Sequence, residues 1–359
     1  MRPENEAELS EMVRHARGPL AVRGGGTRGL AARGAVVLET SGLSGVRLYE
    51  PGALTLVAGA GTPVAEIEVA LATEGQRLAF EVPDLRQVLG RAGASTIGGV
   101  VAENASGPRR VQAGACRDFL LGVRFVDGRG DVLRNGGRVM KNVTGYDLVK
   151  LMAGSRGRLG VLTEVALKVL PKPEAEVTLA LRGLSDAQAV AALSAALGSP
   201  YEVSGAAHLP GQGTFLRIEG FAGSVRYRFG ELARLLQGFG VAEEVPSPWA
   251  AIRDVGPLAA VAGDLWRLSV KPSEAPGIVA RMGAEAVIYD WGGGLIWARM
   301  APGADLRARL GVFAGHATRL SGAPGIAALP PEAAPVVALS EGLRAQFDPR
   351  GIFAAPEEV

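Results

Sequence analysis

The chain has 359 residues, of which 48% are hydrophobic, and its 38 Lys and Arg against 36 Asp and Glu give a formal net charge of +2. This length predicts a soluble globular protein of two domains, and the balanced charge argues against nucleic acid or an anionic membrane surface as a partner. A single cysteine, Cys116, excludes internal disulfides and Cys-ligated clusters, and three scattered histidines argue against a metal site. No apolar run reaches the ~18 residues of a membrane span, which predicts a cytoplasmic location, with membrane association only through partners.

The first candidate site follows an amphipathic helix predicted over Glu4–Arg17 and a short strand. It is the segment Arg23 to Thr27, Arg-Gly-Gly-Gly-Thr. Glycine tolerates φ > 0 and keeps no Cβ near a ligand, so such a turn can surround a pyrophosphate with backbone N–H groups. The segment lacks the Gly-Lys-Ser/Thr of a Walker loop, and residues 35–38 look like a strand rather than the helix of a Rossmann unit. Taken alone, it fits an ordinary glycine-rich surface loop equally well.

Two further glycine-rich segments occur later in the chain. Residues 94–107 read as a loop that is either structural or a second cradle for the same ligand. A hairpin with an Asp-Gly turn follows over residues 119–134. The dense block 136–173 then predicts a short helix over Tyr146–Met152, a turn at residues 154–160 and a long strand over Val161–Leu170.

Together the three segments resemble the vanillyl-alcohol-oxidase family, the PCMH-type FAD-binding superfamily. That family carries Arg-Gly-Gly/Ser-Gly-Thr, Thr-Ile-Gly-Gly and Gly-Ser-x-Gly-x-Leu-Gly-Val/Ile in this order, which here are Arg23–Thr27, Thr96–Gly99 and Gly154–Val161. Residues 107–110, 139–148 and 162–164 are most similar to the FAD-binding E subunits of bacterial glycolate oxidases. The implied fold class is α+β, with a two-subdomain PCMH-type FAD-binding domain and a ferredoxin-like antiparallel cap.

The resemblance also implies how individual residues bind FAD. The residues expected to hold the pyrophosphate are Arg23, Gly24, Gly25, Gly26, Thr27, Gly98 and Gly99. Those expected near the ribityl chain or the flavin ring are Pro83, Thr96 and Asn104, and those near the adenine are Gly160 and Val161. The FAD is expected to be non-covalent, because Thr27 and Arg28 stand where relatives that attach the flavin often have a histidine.

The second half of the chain predicts a cap built from two related units. Residues 177–245 follow a βαββαβ order typical of a ferredoxin-like unit, and residues 265–320 look like a looser copy that ends in a helix over Ala304–Leu320. Gly292, Gly293 and Gly294 read as a hairpin turn. The expected domains are 1–173 for FAD, 174–334 for the cap, and 335–359 for a last helix and a tail that returns to the FAD domain.

Oxidation of a 2-hydroxy acid requires a base for the hydroxyl proton and a cation for the carboxylate. His208 is the one histidine at a strand end that can face the ring, although a structural or surface role is an open alternative. Arg217 and Arg267, on predicted cap strands, are candidates for the carboxylate, with solvent exposure as the alternative.

Three functions remain open from the sequence. The preferred one is the FAD-binding subunit of a glycolate oxidase complex, which oxidises glycolate or D-lactate together with a homologous flavin subunit and passes electrons to an iron–sulfur partner. The alternatives are a self-sufficient FAD-dependent D-2-hydroxyacid dehydrogenase and a non-catalytic scaffold. The intact glycine segments argue against the scaffold, and the absence of a histidine-rich cap motif argues against self-sufficiency.

Overall fold

A computed structural model describes residues 1–28, 34–138, 145–322 and 325–354. The part of the motif predicted over residues 139–144 lies outside these ranges. Three sheets with flanking helices make the chain an α+β protein, as the sequence predicts. None of the helices that the structure describes combines the length and the apolar character needed to cross a membrane.

The N-terminal region contains a small parallel sheet and a six-stranded sheet. Its strands are β1 (Leu20–Arg23), β2 (Val36–Glu39), β3 (Val46–Glu50), β4 (Thr55–Gly59), β5 (Gln76–Leu78), β6 (Leu120–Val126), β7 (Val132–Gly136) and β8 (Val161–Pro171). Its helices are α1 (Glu6–Arg14), α2 (Val64–Ala72), α3 (Arg86–Leu89), α4 (Ile97–Ala102), α5 (Arg110–Ala113) and α6 (Leu148–Met152). β1 pairs with β2, and the larger sheet has the order β3-β4-β8-β6-β7, with β5 also paired to β8.

Strand β8 is the centre of the larger sheet. It pairs with β4 on one side and β6 on the other, and most of its side chains are buried. Ile67 of α2, Phe125 of β6 and Leu167 of β8 belong to one fully buried cluster. Burying each such side chain contributes about 1.5–3 kcal/mol to folding. This core holds β8 in place, and the turn before β8 leads directly into the strand.

The eight-stranded antiparallel sheet of the second region, here called the cap sheet, consists of two βαββαβ units. Its strands are β9 (Ala175–Leu181), β10 (Val203–Leu209), β11 (Gly213–Gly220), β12 (Glu243–Val245), β13 (Asp264–Val270), β14 (Ala286–Asp290), β15 (Leu295–Met300) and β16 (Gly315–Ser321). Its helices are α7 (Asp186–Leu197), α8 (Ala222–Leu235), α9 (Trp249–Arg253), α10 (Ala275–Met282) and α11 (Leu306–Leu310). The strand order of the sheet is β12-β9-β11-β10-β14-β15-β13-β16. The first unit supplies β9 to β12 and the second β13 to β16, the two units have the same strand order in opposite directions, and β10 pairs with β14 where they meet.

The second βαββαβ unit is confirmed, but the helix predicted over residues 304–320 is wrong. α11 ends at Leu310, where Gly311 has a positive φ of 66°, and residues 315–321 form β16 instead. Residues 315–321 form a strand because they pair with β13 through backbone hydrogen bonds. The apolar pattern of the segment alone does not indicate this long-range pairing. The turn predicted at residues 292–294 is confirmed and joins β14 to β15.

The two faces of the cap sheet have different surroundings. On the outer face, α7 and α10 cover residues such as Trp266 and Tyr289. On the inner face, Leu265, Ile288 and Trp297 form a buried cluster with Leu85 and Val88 of the N-terminal region. Because neighbouring residues of a strand point to opposite faces, this assignment fixes the direction of each polar side chain on the sheet.

The last helix, α12 (Ala334–Phe347), is followed by a segment that returns to the N-terminal region. Phe353 forms a parallel bridge with Leu20 of β1 and is fully buried. The buried carboxylate of Asp348 accepts hydrogen bonds from the backbone N–H groups of Ile352 and Phe353, at 2.9 Å each. The described part of the chain end therefore lies against β1 of the N-terminal region.

Candidate functional site

A cleft of about 320 Å³ lies where the three glycine-rich segments meet. The segment after β1, helix α4 and the turn before β8 form its walls, and Ala354 closes one side. Of the residues predicted to bind FAD, those that line the cleft are Arg23, Gly24, Gly25, Gly26, Thr27, Thr96, Gly98, Gly99 and Gly160. Segments separated by more than a hundred residues therefore converge on one cavity.

The glycines of the first segment allow two backbones to pack together. A Cβ on Gly25 would overlap the carbonyl oxygen of Ala94, and one on Gly24 would overlap the hydroxyl of Thr96. Gly26 adopts φ of 70°, which other residues rarely tolerate. The first two glycines hold the first segment against the second, and the third turns the chain along the cleft wall.

The second glycine segment is not a simple loop. Gly98 and Gly99 lie within helix α4, and the Thr96 side chain caps this helix by accepting a hydrogen bond from the Gly99 N–H. A Cβ on Gly98 would lie 2.7 Å from the carbonyl oxygen of Ala60. Glycine is required here because the helix packs closely on the end of β4, which outweighs its low helix propensity.

Three predicted contacts lie outside the cleft lining. The carbonyl of Pro83 accepts a hydrogen bond from Arg28. Asn104 has a positive φ of 46°, and its side chain accepts from the N–H of Arg117. Val161 is fully buried in the core below the cleft.

Arg28 is a cleft residue that the sequence argument left without a binding role. Its Nη2 donates to the Pro83 carbonyl at 2.8 Å and to the Ser95 hydroxyl at 2.7 Å. Its Nε and Nη1 are buried and have no hydrogen-bond partner among the described residues. Burial lowers the pKa of Arg28, although the nearby carboxylates of Glu103 and Asp84 oppose that shift. A buried guanidinium with two unused donors requires an acceptor that the cleft itself does not supply.

Other lining residues were also missed. The buried Ser155 hydroxyl has no partner within the described part of the chain. Arg156 pairs with Glu103 at 3.1 Å across the cleft rim. Ser155 and Arg156 lie within the motif Gly154–Val161, and Glu103 lies within the segment 94–107, so the two motifs themselves were the available signal.

FAD fits this cleft on the chemistry of its lining. The unused donors of Arg28 and the Ser155 hydroxyl can each serve an acceptor atom, and FAD carries acceptors in both its diphosphate and its flavin ring. The glycine segments leave room for a ligand to approach the backbone closely.

Arg217, on the inner face of the cap sheet, is fully engaged. Its two terminal nitrogens donate to the carboxylate of Glu81 at 2.7 and 3.2 Å, and its Nε lies 3.5 Å from Glu219. Arg109 adds a bidentate pair to Glu219 at 2.9 and 3.0 Å. Because these groups join the N-terminal region to the cap, Arg217 connects the two regions and has no free donor pair for a substrate carboxylate.

Arg267 lies on the same inner face but has no carboxylate within ion-pair distance among the described residues. Its guanidinium carbon is 5.3 Å from the ring centre of Trp291 and 5.8 Å from that of Trp297. Burial and the positive charge of Arg110 lower the pKa of Arg267 to about 10. Of the two arginines predicted for a carboxylate, only Arg267 is available to receive one.

His208 lies on the outer face of the cap sheet. Its Nδ1 is 2.9 Å from the hydroxyl of Thr214, and its Nε2 is 3.3 Å from the carboxylate of Asp186 on α7. Burial lowers the pKa of His208 in spite of Asp186. Its role as a base stays a prediction, and its position beneath a helix argues against contact with a ligand in the cleft.

His316 lies on the opposite face of the cap sheet from His208. It pairs with Ser269 of β13, while the next residue, Ala317, belongs to the outer-face cluster. His316 therefore points to the inner side, where burial and the charges of Arg267 and Arg156 lower its pKa. No periodicity in the sequence indicated this, because residues 304–320 were predicted as a helix.

Comparison with known proteins agrees with the geometry of the cleft. Residues 1–136, which include two of the three glycine segments, match the family model described as an FAD binding domain. The chain is 16% identical to a solved structure of alkyldihydroxyacetonephosphate synthase, with a TM-score of 0.71 over 98% of this chain and 76% of the other, so the two share a fold. The family match and the cleft define an FAD-binding protein.

The curated relatives narrow this class. The chain is 38% identical to the glycolate oxidase subunit GlcE of Escherichia coli (strain K12), over 93% of this chain and 91% of the relative. It is 34% identical to the glycolate oxidase subunit GlcD of Bacillus subtilis (strain 168), over 49% of this chain and 38% of GlcD. The chain belongs to the GlcE family of glycolate oxidase subunits.

Proposed function

We propose that this chain is the FAD-bearing subunit of a complex that oxidises glycolate or D-lactate to the 2-oxo acid. The observation that carries the proposal is the convergence of three glycine-rich segments on one cleft whose buried donors, in Arg28 and Ser155, lack partners among the described residues. The proposal includes three domains, with residues 1–173 binding FAD, residues 174–334 forming the cap, and residues 335–359 forming the last helix and the tail.

Each group in the cleft has a defined task in this function. Bound FAD supplies the two-electron acceptor for the 2-hydroxy acid. The backbone of residues 23–27 and of Gly98 and Gly99 would hold the diphosphate, and Arg28 would donate to an acceptor on the cofactor. The Glu103–Arg156 pair lines the cleft at its rim.

The FAD is held without a covalent bond in this proposal. Thr27 and Arg28 stand where relatives that attach the flavin often have a histidine, and neither side chain offers an imidazole. Cys116 is fully buried, and burial raises the pKa of its thiol, so the reactive thiolate does not form at neutral pH. Acid precipitation tests this: we expect the yellow colour in the supernatant, and colour that stays with the pellet would contradict non-covalent binding.

The partners are a homologous flavin subunit and an iron–sulfur subunit. Cys116 is the only cysteine of the chain, so an iron–sulfur acceptor must be supplied by another protein. His208 lies on the outer face, away from the cleft, so this chain lacks the expected base on that strand. General-base assistance is commonly worth ~10²–10⁴-fold in rate, and the isolated chain should therefore be slow.

Anaerobic mixing with excess glycolate or D-lactate tests the division of labour. We expect the purified FAD-loaded chain to bleach slowly or not at all, and turnover to appear when the partner flavin and iron–sulfur subunits are added. Rapid bleaching of the isolated chain would contradict the need for a partner flavin.

One observation favours a second candidate, the self-sufficient dehydrogenase. Arg267 and His316 lie on neighbouring strands of the inner face, and they offer a cation and an imidazole on the side of the N-terminal region. Rapid bleaching that is lost in His316→Gln and retained in His208→Ala would identify this function.

A further inference from the structure

We infer that Arg267 and Arg110, which both contact the ring of Trp291, form a binding site for a small carboxylate between the cap sheet and the N-terminal region. The inference deepens the proposed function, because it assigns a place to the carboxylate of the 2-hydroxy acid. It rests on that function only for the identity of the ligand. The site itself follows from charge and geometry.

Two guanidinium groups share one aromatic ring in this cluster. The guanidinium carbon of Arg110 is 4.6 Å from the ring centre of Trp291, and that of Arg267 is 5.3 Å from it. Neither arginine has an ion pair or a side-chain hydrogen bond within the described ranges, although the carboxylates of Asp290 and Glu103 act on Arg267 from a longer distance. Cation–π contacts contribute about 0.5–2 kcal/mol each, less than the pairing that buried cations usually have.

Trp291 is held in this position by the backbone and by the opposite region. It adopts a positive φ of 52°, which costs of the order of 1–3 kcal/mol for a bulky residue. Its indole Nε1 donates to the Gly107 carbonyl at 3.1 Å, and its backbone N–H donates to Asp290 at 2.7 Å. These two hydrogen bonds hold the Trp291 ring against Gly107 of the N-terminal region, where both arginines contact it.

The nearby acids do not neutralise the cluster. Asp290 is buried, and burial raises its pKa to about 7, so it is largely uncharged below neutral pH. Its Oδ1 already accepts from Trp291. Glu103 pairs with Arg156 at 3.1 Å. The charged and titratable groups that act on Arg267 thus leave a net positive field, with His316 as a neutral neighbour at its edge.

The cluster is close to the cleft. Arg156 and Glu103, which line the cleft, lie within electrostatic range of Arg267 and shift its pKa in opposite directions. A carboxylate between Arg110 and Arg267 would relieve the repulsion between the two cations. Arginine binds carboxylates through two parallel hydrogen bonds, which an inorganic halide cannot reproduce. Phosphate can pair with arginine in the same way, so the proposed function, together with this geometry, selects the carboxylate of a small 2-hydroxy acid.

Oxalate is a suitable probe, because a flavin does not dehydrogenate it. We would titrate the FAD-loaded chain with oxalate, and in parallel with sulfate and chloride, and follow binding by calorimetry and by the flavin absorbance. We expect oxalate to bind more tightly than either inorganic anion. Arg267→Met should weaken oxalate binding roughly tenfold to a hundredfold, the loss expected for hydrogen bonds to a charged group, and Arg267→Lys should retain part of it.

The control is Arg281→Met, which removes an exposed arginine of α10 whose Nε donates only to the Gly277 carbonyl. It should leave oxalate binding unchanged. Arg110→Met provides a second disruption from the N-terminal region in case Arg267→Met unfolds, which a thermal melt would reveal.

The inference would be overturned if oxalate bound no better than sulfate, or if both Arg267→Met and Arg110→Met bound it like the unmodified chain. Failure of FAD to bind would refute the proposed function instead. In that case calorimetry on the FAD-free chain still measures the carboxylate site.

Discussion

Two arginines on the inner face of the cap sheet have the same chemistry and different surroundings. Arg217 on β11 is enclosed by Glu81 and Glu219, with a 4.8 Å contact to the ring of Trp249. Arg267 on β13 contacts two tryptophan rings and no described carboxylate. An arginine that forms ion pairs across an interface stabilises the contact between two parts of a fold. An arginine without a carboxylate partner can still bind an anion.

The paired cluster is also built from both regions. Glu81, Arg77 and Arg109 come from the N-terminal region, and Arg217 and Glu219 come from β11. Arg77 donates to Glu219 at 2.6 Å, so this carboxylate has partners from both regions. Such a network holds β11 of the cap sheet against the N-terminal region, whereas the two arginines of the unpaired cluster have no described carboxylate partner.

The largest effect should come from breaking the paired cluster. Arg217→Met leaves Glu81 buried with one fewer partner, and removal of one member of a buried ion pair commonly costs about 3–5 kcal/mol. Urea unfolding of the purified chain at pH 7 measures the loss. A change below about 1 kcal/mol would show that the network does not fasten the cap to the N-terminal region.

Acid should weaken the same cluster. Burial alone would raise the pKa of Glu219 and of Glu81, but hydrogen bonds and charge from Arg109 and Arg217 hold both well below their usual range. A lowered folded-state pKa contributes stability above the unfolded value, near 4.3, and that stability is lost as pH falls below it.

Urea midpoints at pH 7, 4.5 and 3.5 test this dependence. The unmodified chain should lose stability mainly between the last two values. Glu81→Gln should begin less stable and show a shallower decline, because one of the two titrating groups is gone. Parallel declines in the two proteins would contradict a role for Glu81 in the acid response.

Arg28 extends the comparison to the cleft, since it combines two satisfied hydrogen bonds with two unused donors. We expect Arg28→Met to weaken FAD binding roughly tenfold to a hundredfold, as for hydrogen bonds from a charged group, without lowering the stability of the FAD-free chain. Fluorescence titration with FAD, and with ADP in parallel, separates a diphosphate contact from a ring contact. Arg28→Lys is the conservative control, and an unchanged affinity in Arg28→Met would exclude a cofactor contact.

The local parts of the site could be predicted from the sequence, and the long-range parts could not. Glycine runs such as Arg23–Thr27 mark turns because their conformational demands are local. The inner and outer faces of the cap depend instead on which strands pair, so the sequence singled out His208 and missed His316. No local sequence pattern indicates that Glu81 forms an ion pair with Arg217 while Arg267 has no described carboxylate partner, because Glu81 and Arg217 are far apart in the chain.

The smallest effect on stability should come from the unpaired cluster. Arg267→Met replaces a half-buried cation that has no described carboxylate partner with an apolar side chain, and exchange of poorly compensated charges for apolar groups is often neutral or stabilising. We therefore expect a change within about 1 kcal/mol of the unmodified chain, or a gain, against the loss of several kcal/mol in Arg217→Met. The two variants should be compared in the same urea series at pH 7. Equal losses would mean that Arg267 supports the fold as Arg217 does, and the contrast between a fastening arginine and a binding one would then fail. A stable Arg267→Met chain that has lost oxalate binding would establish that the residue is kept for a ligand, because stability alone does not require a positive charge at that position.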